Sequence, residues 1–252
     1  MQITIIPCLS DNYAYLIETH GAVGVVDPSE EAPVVAALEK RGLRLTHILN
    51  THHHFDHTGG NVALKARYGA SIIGPEADRH RIPGLDQGVT EGEAVMIGDA
   101  KAAIISIPAH TSGHIAFHFA ASGDVVTGDT LFAMGCGRLF EGTPDDMWRA
   151  LSKLAALPPH TRVWCGHEYT QSNGRFALTV DGANAALQAR MEAVNAARAK
   201  NMPTMPSTIG DEIATNPFMR AKEPALAAAC AMTGKPPAEV LGEIRRRKDS
   251  FR

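Results

Sequence analysis

Cysteine is scarce and scattered in this chain: Cys8, Cys136, Cys165 and Cys230 include no Cys-x-x-Cys pair. That spacing argues against a disulfide framework and suits a reducing compartment. A surplus of one charge is missing as well. Lys and Arg number 24 against 27 Asp and Glu, a formal charge of −3, which gives no general pull towards nucleic acid or anionic membranes. No apolar run approaches transmembrane length. Met1-Gln2-Ile3-Thr4-Ile5-Ile6-Pro7 already reads as a strand, without the basic region or apolar core of an export signal. Sequence repeats and low-complexity segments are lacking too. The expectation is a cytoplasmic monomer with no membrane and no nucleic-acid partner.

What is present is the composition of an ordinary globular chain. Its 252 residues, 44% hydrophobic and 20% charged, suffice for one large domain with a real core plus a smaller one. Strand signals at Gln2 to Pro7, Tyr13 to Glu18 and Ala22 to Asp27 are divided by the turn residues Ser10-Asp11-Asn12 and His20-Gly21. Ser29 before Glu30 and Glu31 predicts a helix with Val34, Val35 and Leu38 inward, ending near Gly42. A strand at 45–50, a helix at 58–68 and a strand at 71–74 follow, then polar, irregular chain from Pro75 to Gly92. Further strands are predicted at 94–97, 102–107, 114–119 and 124–127. Thr143-Pro144-Asp145-Asp146 opens a helix with Met147, Leu151 and Leu154 on one face, and Thr161 to Cys165 is a last strand. Beyond residue 170 strand signals cease. Ala-rich helical periodicity covers Ala183 to Lys200, Pro224 to Ala231 and Pro237 to Lys248, with a Pro- and Thr-rich connector from Met202 to Asn216. This order predicts an α+β protein: an αββα sandwich over residues 1–172 and a helical C-terminal domain over 173–252.

The twelve histidines matter for where they cluster. Thr51-His52-His53-His54-Phe55-Asp56-His57-Thr58-Gly59-Gly60 carries imidazoles and a carboxylate between a strand and a helix start. Such groups are good ligands for zinc, iron and manganese, and a pair of metals needs roughly seven of them. His52, His54, Asp56 and His57 give four, while alternation along extended chain turns His53 to the other side and excludes it. Three more candidates stand where a strand gives way to a loop: His110 after Pro108-Ala109, Asp129 after Thr127-Gly128, and His167 after Cys165-Gly166. His114 competes with His110 for the same role. Otherwise it and His118 read as strand residues that support the ligands, and the isolated His20, His47, His80 and His160 read as structural. The pattern predicts a two-metal hydrolase.

These motifs (His-x-His-x-Asp-His, a His before Thr, Gly-Asp-Thr, Gly-His-Glu) resemble those of the metallo-β-lactamase superfamily. Four further stretches narrow the resemblance to its glyoxalase II, or hydroxyacylglutathione hydrolase, family. They are Gly135-Cys136-Gly137-Arg138, Gly166-His167-Glu168-Tyr169-Thr170, Asn216-Pro217-Phe218 and Arg245-Arg246-Arg247-Lys248-Asp249, and Asp11-Asn12-Tyr13 and His110-Thr111-Ser112-Gly113-His114 match as well. The resemblance implies a metallo-β-lactamase-like sandwich whose C-terminal helical domain contributes to a glutathione site. It implies that His52, His54 and His110 hold one metal, that Asp56, His57 and His167 hold the other, and that Asp129 bridges them. Two divalent ions are implied, zinc first, with iron or manganese accepted by the same ligands.

The implied reaction is thioester hydrolysis: S-D-lactoylglutathione and water give glutathione and D-lactate, the second step of methylglyoxal detoxification. A metal-bridging hydroxide, oriented by Asp56 and Asp129, would attack the carbonyl. A glutathione thiolate with a pKa of ~8.5 leaves with little help from an acid, which suits a chain with no obvious Ser or Cys nucleophile. The two carboxylates of glutathione need cations. The resemblance assigns Arg138, Arg245 and Lys248 to them and adds the Tyr169 hydroxyl, although Arg245-Arg246-Arg247-Lys248 alone also reads as a helix end complementing its dipole. Phe140 stands where the family often has a second tyrosine. A mononuclear iron persulfide dioxygenase of the same superfamily is the rival enzyme, and it leaves Gly166-His167-Glu168-Tyr169 and the basic C-terminal helix unexplained. A superfamily nuclease would need a basic groove, and a regulator without catalysis would not need a complete ligand set.

Overall fold

The β-branched N-terminal residues fold as a meander of β1 (Gln2–Cys8), β2 (Asn12–Thr19) and β3 (Ala22–Val26). The computed structural model describes residues 1–251. After β3 the pairing becomes parallel, through β4 (His47–Leu49), β5 (Ser71–Pro75) and β6 (Gln87–Val89), so six strands lie in sequence order in one sheet. Parallel neighbours need crossovers. The first is α1 (Glu31–Arg41); the second contains the single turn α2 (Phe55–Thr58) and then α3 (Asn61–Tyr68). Val34, Val35 and Leu38 of α1 and Leu64 of α3 pack on Leu16, Val25, Ile48 and Ile72 of the sheet, all buried. Gly42 ends α1 in the left-handed region at φ 63°, and its N–H closes on the last turn.

An antiparallel meander follows, of β7 (Ala94–Ile97), β8 (Ala100–Ser106), β9 (Ile115–Phe119) and β10 (Asp124–Gly128). It meets the first sheet where Gly24 lies against Ile97, so that a Cβ there would stand 3.3 Å from the Ile97 side chain. Met1–Ser106 with Gly113–Gly128 forms one compact unit; Ile107–Ser112 with Asp129–Arg252 forms the other.

The second unit begins with the short hairpin of β11 (Leu131–Phe132) and β12 (Gly135–Cys136). Next come α4 (Pro144–Ala155), β13 (Arg162–Cys165), α5 (Thr170–Val180), α6 (Ala185–Arg198), β14 (Ser207–Thr208), α7 (Ile209–Thr215), α8 (Pro224–Ala229) and α9 (Pro237–Ser250). Met134, Ala177, Leu187, Met191 and Val194 form a core between the hairpin turn, α5 and α6. Fully buried Glu212 accepts from the Met134 N–H at 2.8 Å and from Asn216 Nδ2 at 3.0 Å, and pairs with Arg190 at 2.6 Å. Asn216 also donates to the carbonyls of Phe132 and Gly135, so the Asn216-Pro217-Phe218 stretch clasps the hairpin.

Several elements differ from the sequence expectation. The segment taken as irregular between Pro75 and Gly92 contains β6, three residues too short to show alternation. The helix expected from Thr58 starts at Asn61, because Gly59 and Gly60 run close under the Pro28–Glu30 backbone, leaving α2 as a separate turn. Helix α5 was not expected: Thr170, Asn173 and Gly174 are weak helix formers, but Gly174 lets the Met191 side chain come close, and packing overrides propensity. The Met202–Asn216 connector holds β14, paired antiparallel with β13, and α7, whose first turn is capped by Thr208 accepting from the Asp211 N–H. Residue 172 lies inside α5.

Helix α4 has a full capping box, in which Thr143 and Asp146 each satisfy the other's backbone N–H. Thr143→Ala should lower unfolding stability by about 1 kcal/mol without changing the fold. Urea titration followed by far-ultraviolet circular dichroism checks this.

Candidate metal centre

In the first unit the His-rich segment is held by a carboxylate at the end of β3. Asp27 sits in the left-handed region at φ 49°, and its N–H bonds to Leu49 O. Its carboxylate accepts from Thr51 N at 2.8 Å and Thr51 Oγ1 at 2.7 Å, and its Oδ2 lies 3.1 Å from His57 Nδ1. That contact turns His57 Nε2 to the other side, 3.7 Å from Asp56 Oδ2. Asp56 is in turn held by Asn12, whose amide donates to its carbonyl at 3.0 Å and to its Oδ2 at 3.1 Å. His52 is fully buried and stacks on His114, ring centroids 4.6 Å apart. His52 Nε2 stands 3.2 Å from His54 Nδ1.

Ligand atoms of Asp27, His52 and His57 all lie within 4.8 Å of one another. Sequence reasoning missed Asp27, reading it only as a strand terminus. The signal was available, because the same strand-end logic that selected Asp129 applies to it. Since both its oxygens are engaged with Thr51 and His57, its role is to orient. His53 places its Nδ1 3.2 Å from Asp78 Oδ2, while its ring lies 4.9 Å from that of His54. His114 sits one residue before β9 rather than inside it, and His118 lies half-buried within β9. Burial lowers the pKa of both His118 and His47.

In the second unit Asp129 follows β10, and its Oδ2 lies 3.2 Å from His167 Nε2 and 3.6 Å from His110 Nε2. His110 is oriented by its other nitrogen, 3.0 Å from Arg138 O. Glycine is required at Gly137 for this approach, since a Cβ would overlap Asp129 O. His167 follows β13, and its ring lies flat on Tyr169, 4.6 Å between centroids and 5° between planes.

Each unit therefore gathers lone-pair donors of one kind, imidazole nitrogen and carboxylate oxygen, at separations only a shared proton or a cation relieves. That donor chemistry fits divalent zinc, iron or manganese. Cysteine takes no part. Burial pushes the Cys136 thiol up to about 11 and Cys165 to about 12, which keeps both protonated.

Also in the second unit, a cavity of about 420 Å³ is lined by Arg138, Leu139, Phe140, Gly242, Arg245, Arg246 and Asp249. Arg138 is exposed, its Nε 3.8 Å from Asp249 Oδ1. Arg245 is buried and spoken for: it donates to Cys136 O at 2.8 Å and to Asp249 at 3.1 Å. The sequence expectation grouped Arg138, Arg245 and Lys248. The structure brings the first two together with Arg246, while Lys248 lies outside the lining, its Nζ 3.2 Å from Ser172 Oγ and over the rings of Phe176 and Phe251. Phe140 stands at the cavity rim, 60% exposed, its ring 5.2 Å from that of His110.

Fold and donor set together define a metallo-β-lactamase-type metalloprotein. The family model of the metallo-beta-lactamase superfamily matches residues 10–167, and that of the hydroxyacylglutathione hydrolase C-terminus matches residues 168–251. The chain is 51% identical over 254 residues to a hydroxyacylglutathione hydrolase of Methylococcus capsulatus, covering 100% of this chain and 99% of that one. It is 54% identical to that of Rhodospirillum rubrum, over 98% and 97% of the two chains. Among solved structures it is similar to TTHA1623 in a di-iron-bound form, with 26% identity, a TM-score of 0.62, and 86% of this chain and 100% of that one covered. The chain belongs to the hydroxyacylglutathione hydrolase family. Among the described residues no helix is long and apolar enough to cross a membrane.

Burial, then the positive charges of Arg245, Arg175 and Arg138, push the Lys248 pKa down to about 8. In the unfolded chain a lysine titrates near ~10.4, so between about 8 and ~10.4 the unfolded state binds more protons and stability rises with pH. Below pH about 8 the charged lysine weighs fully against folding. The stability difference between the wild type and Lys248→Met should therefore move in favour of the wild type as pH rises from 7 to 10, which denaturant unfolding at the two values checks.

Proposed function

We propose that the chain hydrolyses S-(2-hydroxyacyl)glutathione thioesters, S-D-lactoylglutathione foremost, to glutathione and D-lactate. The observation that carries this reading is the arginine-lined cavity whose rim residue Phe140 packs on His110. It offers cations for the carboxylates of glutathione beside a histidine of the candidate metal centre. In this reading His52, His54 and His110 hold one ion, Asp56, His57 and His167 the other, and Asp129 serves both, with zinc as the resident metal. Two such ions would supply a water of lowered pKa and polarise the thioester carbonyl.

The chain's own residues do the rest. Asn12 holds Asp56 and Asp27 holds His57, so that their coordinating atoms are set before substrate arrives. Arg138 is the exposed cation available to a glutathione carboxylate; buried Arg245 fixes Asp249 and the Cys136 carbonyl, forming the floor of the same cavity. The Tyr169 ring steadies His167, and in this reading its hydroxyl contacts the substrate. Lys248 adds positive charge one helical turn beyond Arg245. All four cysteines are free and buried, in keeping with a cytoplasmic enzyme. The C-terminal match over residues 168–251 weighs for thioester hydrolysis and against the persulfide dioxygenase.

Purified, metal-quantified protein should consume S-D-lactoylglutathione and lose that activity when a chelator removes the metal. No turnover at full metal occupancy, with oxygen uptake on glutathione persulfide, would reject the reading. Asp56→Ala should lower kcat at least about 100-fold while thermal unfolding shifts little, because its side chain is partly exposed. Arg138→Ala should raise KM by about 5–20-fold with a smaller change in kcat, as expected for a contact to a remote part of the substrate. Arg138 is the cleaner test than Arg245, whose loss would also strip partners from buried backbone.

A further inference from the structure

Three successive histidines stand in the ligand segment, and the middle one has no part in the reaction proposed above. Its surroundings are nevertheless specific. Residues 51–54 lie between the end of β4 and the start of α2, outside any strand ladder. Side chains therefore do much of the holding. Asp27 grips Thr51 at one point. Two residues on, His53 places its Nδ1 3.2 Å from Asp78 Oδ2.

Asp78 is a fixed post. It is fully buried, at the end of a 3₁₀ turn over Glu76–Asp78 that follows β5. Its Oδ1 accepts from Arg81 Nε at 3.2 Å and from the Arg81 terminal nitrogen at 2.5 Å, while its carbonyl takes the N–H groups of Arg81 and Ile82. Gly113 closes the remaining side, since a Cβ there would overlap the carboxylate. A buried carboxylate held this way needs its partners and has little room to move.

We propose that His53 is a positioning residue, anchored on Asp78 so that His52 and His54 present their nitrogens to one metal ion. This rests on reading His52 and His54 as ligands. The His53 ring also lies 4.9 Å from that of His54, so pinning the middle side chain fixes the short stretch of backbone that orients both neighbours. Releasing it lets the segment turn about its own axis and opens the 3.2 Å approach of His52 Nε2 to His54 Nδ1.

The test follows metal release from zinc- and cobalt-loaded full-length protein into excess chelator, for the wild type, His53→Ala and His53→Asn. His53→Ala should release metal at least about 10-fold faster, as for loss of other partners that orient ligands, and should alter the cobalt absorption bands. His53→Asn, whose amide nitrogen can take the place of Nδ1, should stay within about 3-fold of the wild type with wild-type-like bands. Release from His53→Ala at the wild-type rate overturns the proposal, and so does equal damage from both substitutions. If His53→Ala fails to fold by circular dichroism, His53→Leu keeps the volume, removes the polar contact and is read in the same way. A wild type that takes up no metal overturns the ligand reading and the anchor together; a loaded wild type matched by His53→Ala overturns the anchor alone.

Discussion

One buried carboxylate organises the candidate ligands of the first unit. Asp27 is 2% exposed, and it ties the end of β3 to the first residue of the His-rich segment and to the ring of His57. Its contacts are charge-assisted hydrogen bonds, stronger than neutral ones. Leaving one such buried group without its partner costs about 1–3 kcal/mol, so Thr51, His57 and Asp27 stand or fall as a set. The parallel pairing of β3 with β4 delivers both ends of this contact, continued by the bond from Asp27 N to Leu49 O. Sheet register and the placement of His57 are therefore one constraint.

The second unit achieves the same end by different means. Its three candidate ligands sit on loops, and the hairpin after Asp129 is only two residues per strand. So short a hairpin is marginal alone. Glu212 and Asn216, nearly eighty residues further along the chain, receive and donate the hydrogen bonds that hold it, with Arg190 balancing the buried charge. The helical segment thus braces the loop that carries Gly137 and Arg138.

Much of this was legible in the sequence, because most elements obey local rules. The meander of β1–β3, the inward face of α1 and the capping box of α4 follow from alternation, periodicity and cap chemistry. What escaped were elements whose stability is tertiary: β6 and β14, too short for any period, and α5, built on Gly174 and Asn173. At the site, the side chains proposed as ligands were marked by type and position, and Asp129 does gather His110 and His167. Supporting groups were hidden because their partners are remote in sequence, as with Asn12 on Asp56, Asp27 on His57 and Asp78 on His53. For the cations that the resemblance assigns to glutathione, only packing could say that Lys248 leans on aromatic rings and Arg245 on a backbone carbonyl.

Burial also sets the chemistry open to the cysteines. At pH 7 a thiol with a pKa of about 11, as at Cys8 and Cys136, exists as thiolate on the order of one part in 10⁴. Disulfide exchange and alkylation by reactive carbonyls both proceed through that anion. Burial thus withholds both sulfurs from exchange and from alkylation at neutral pH.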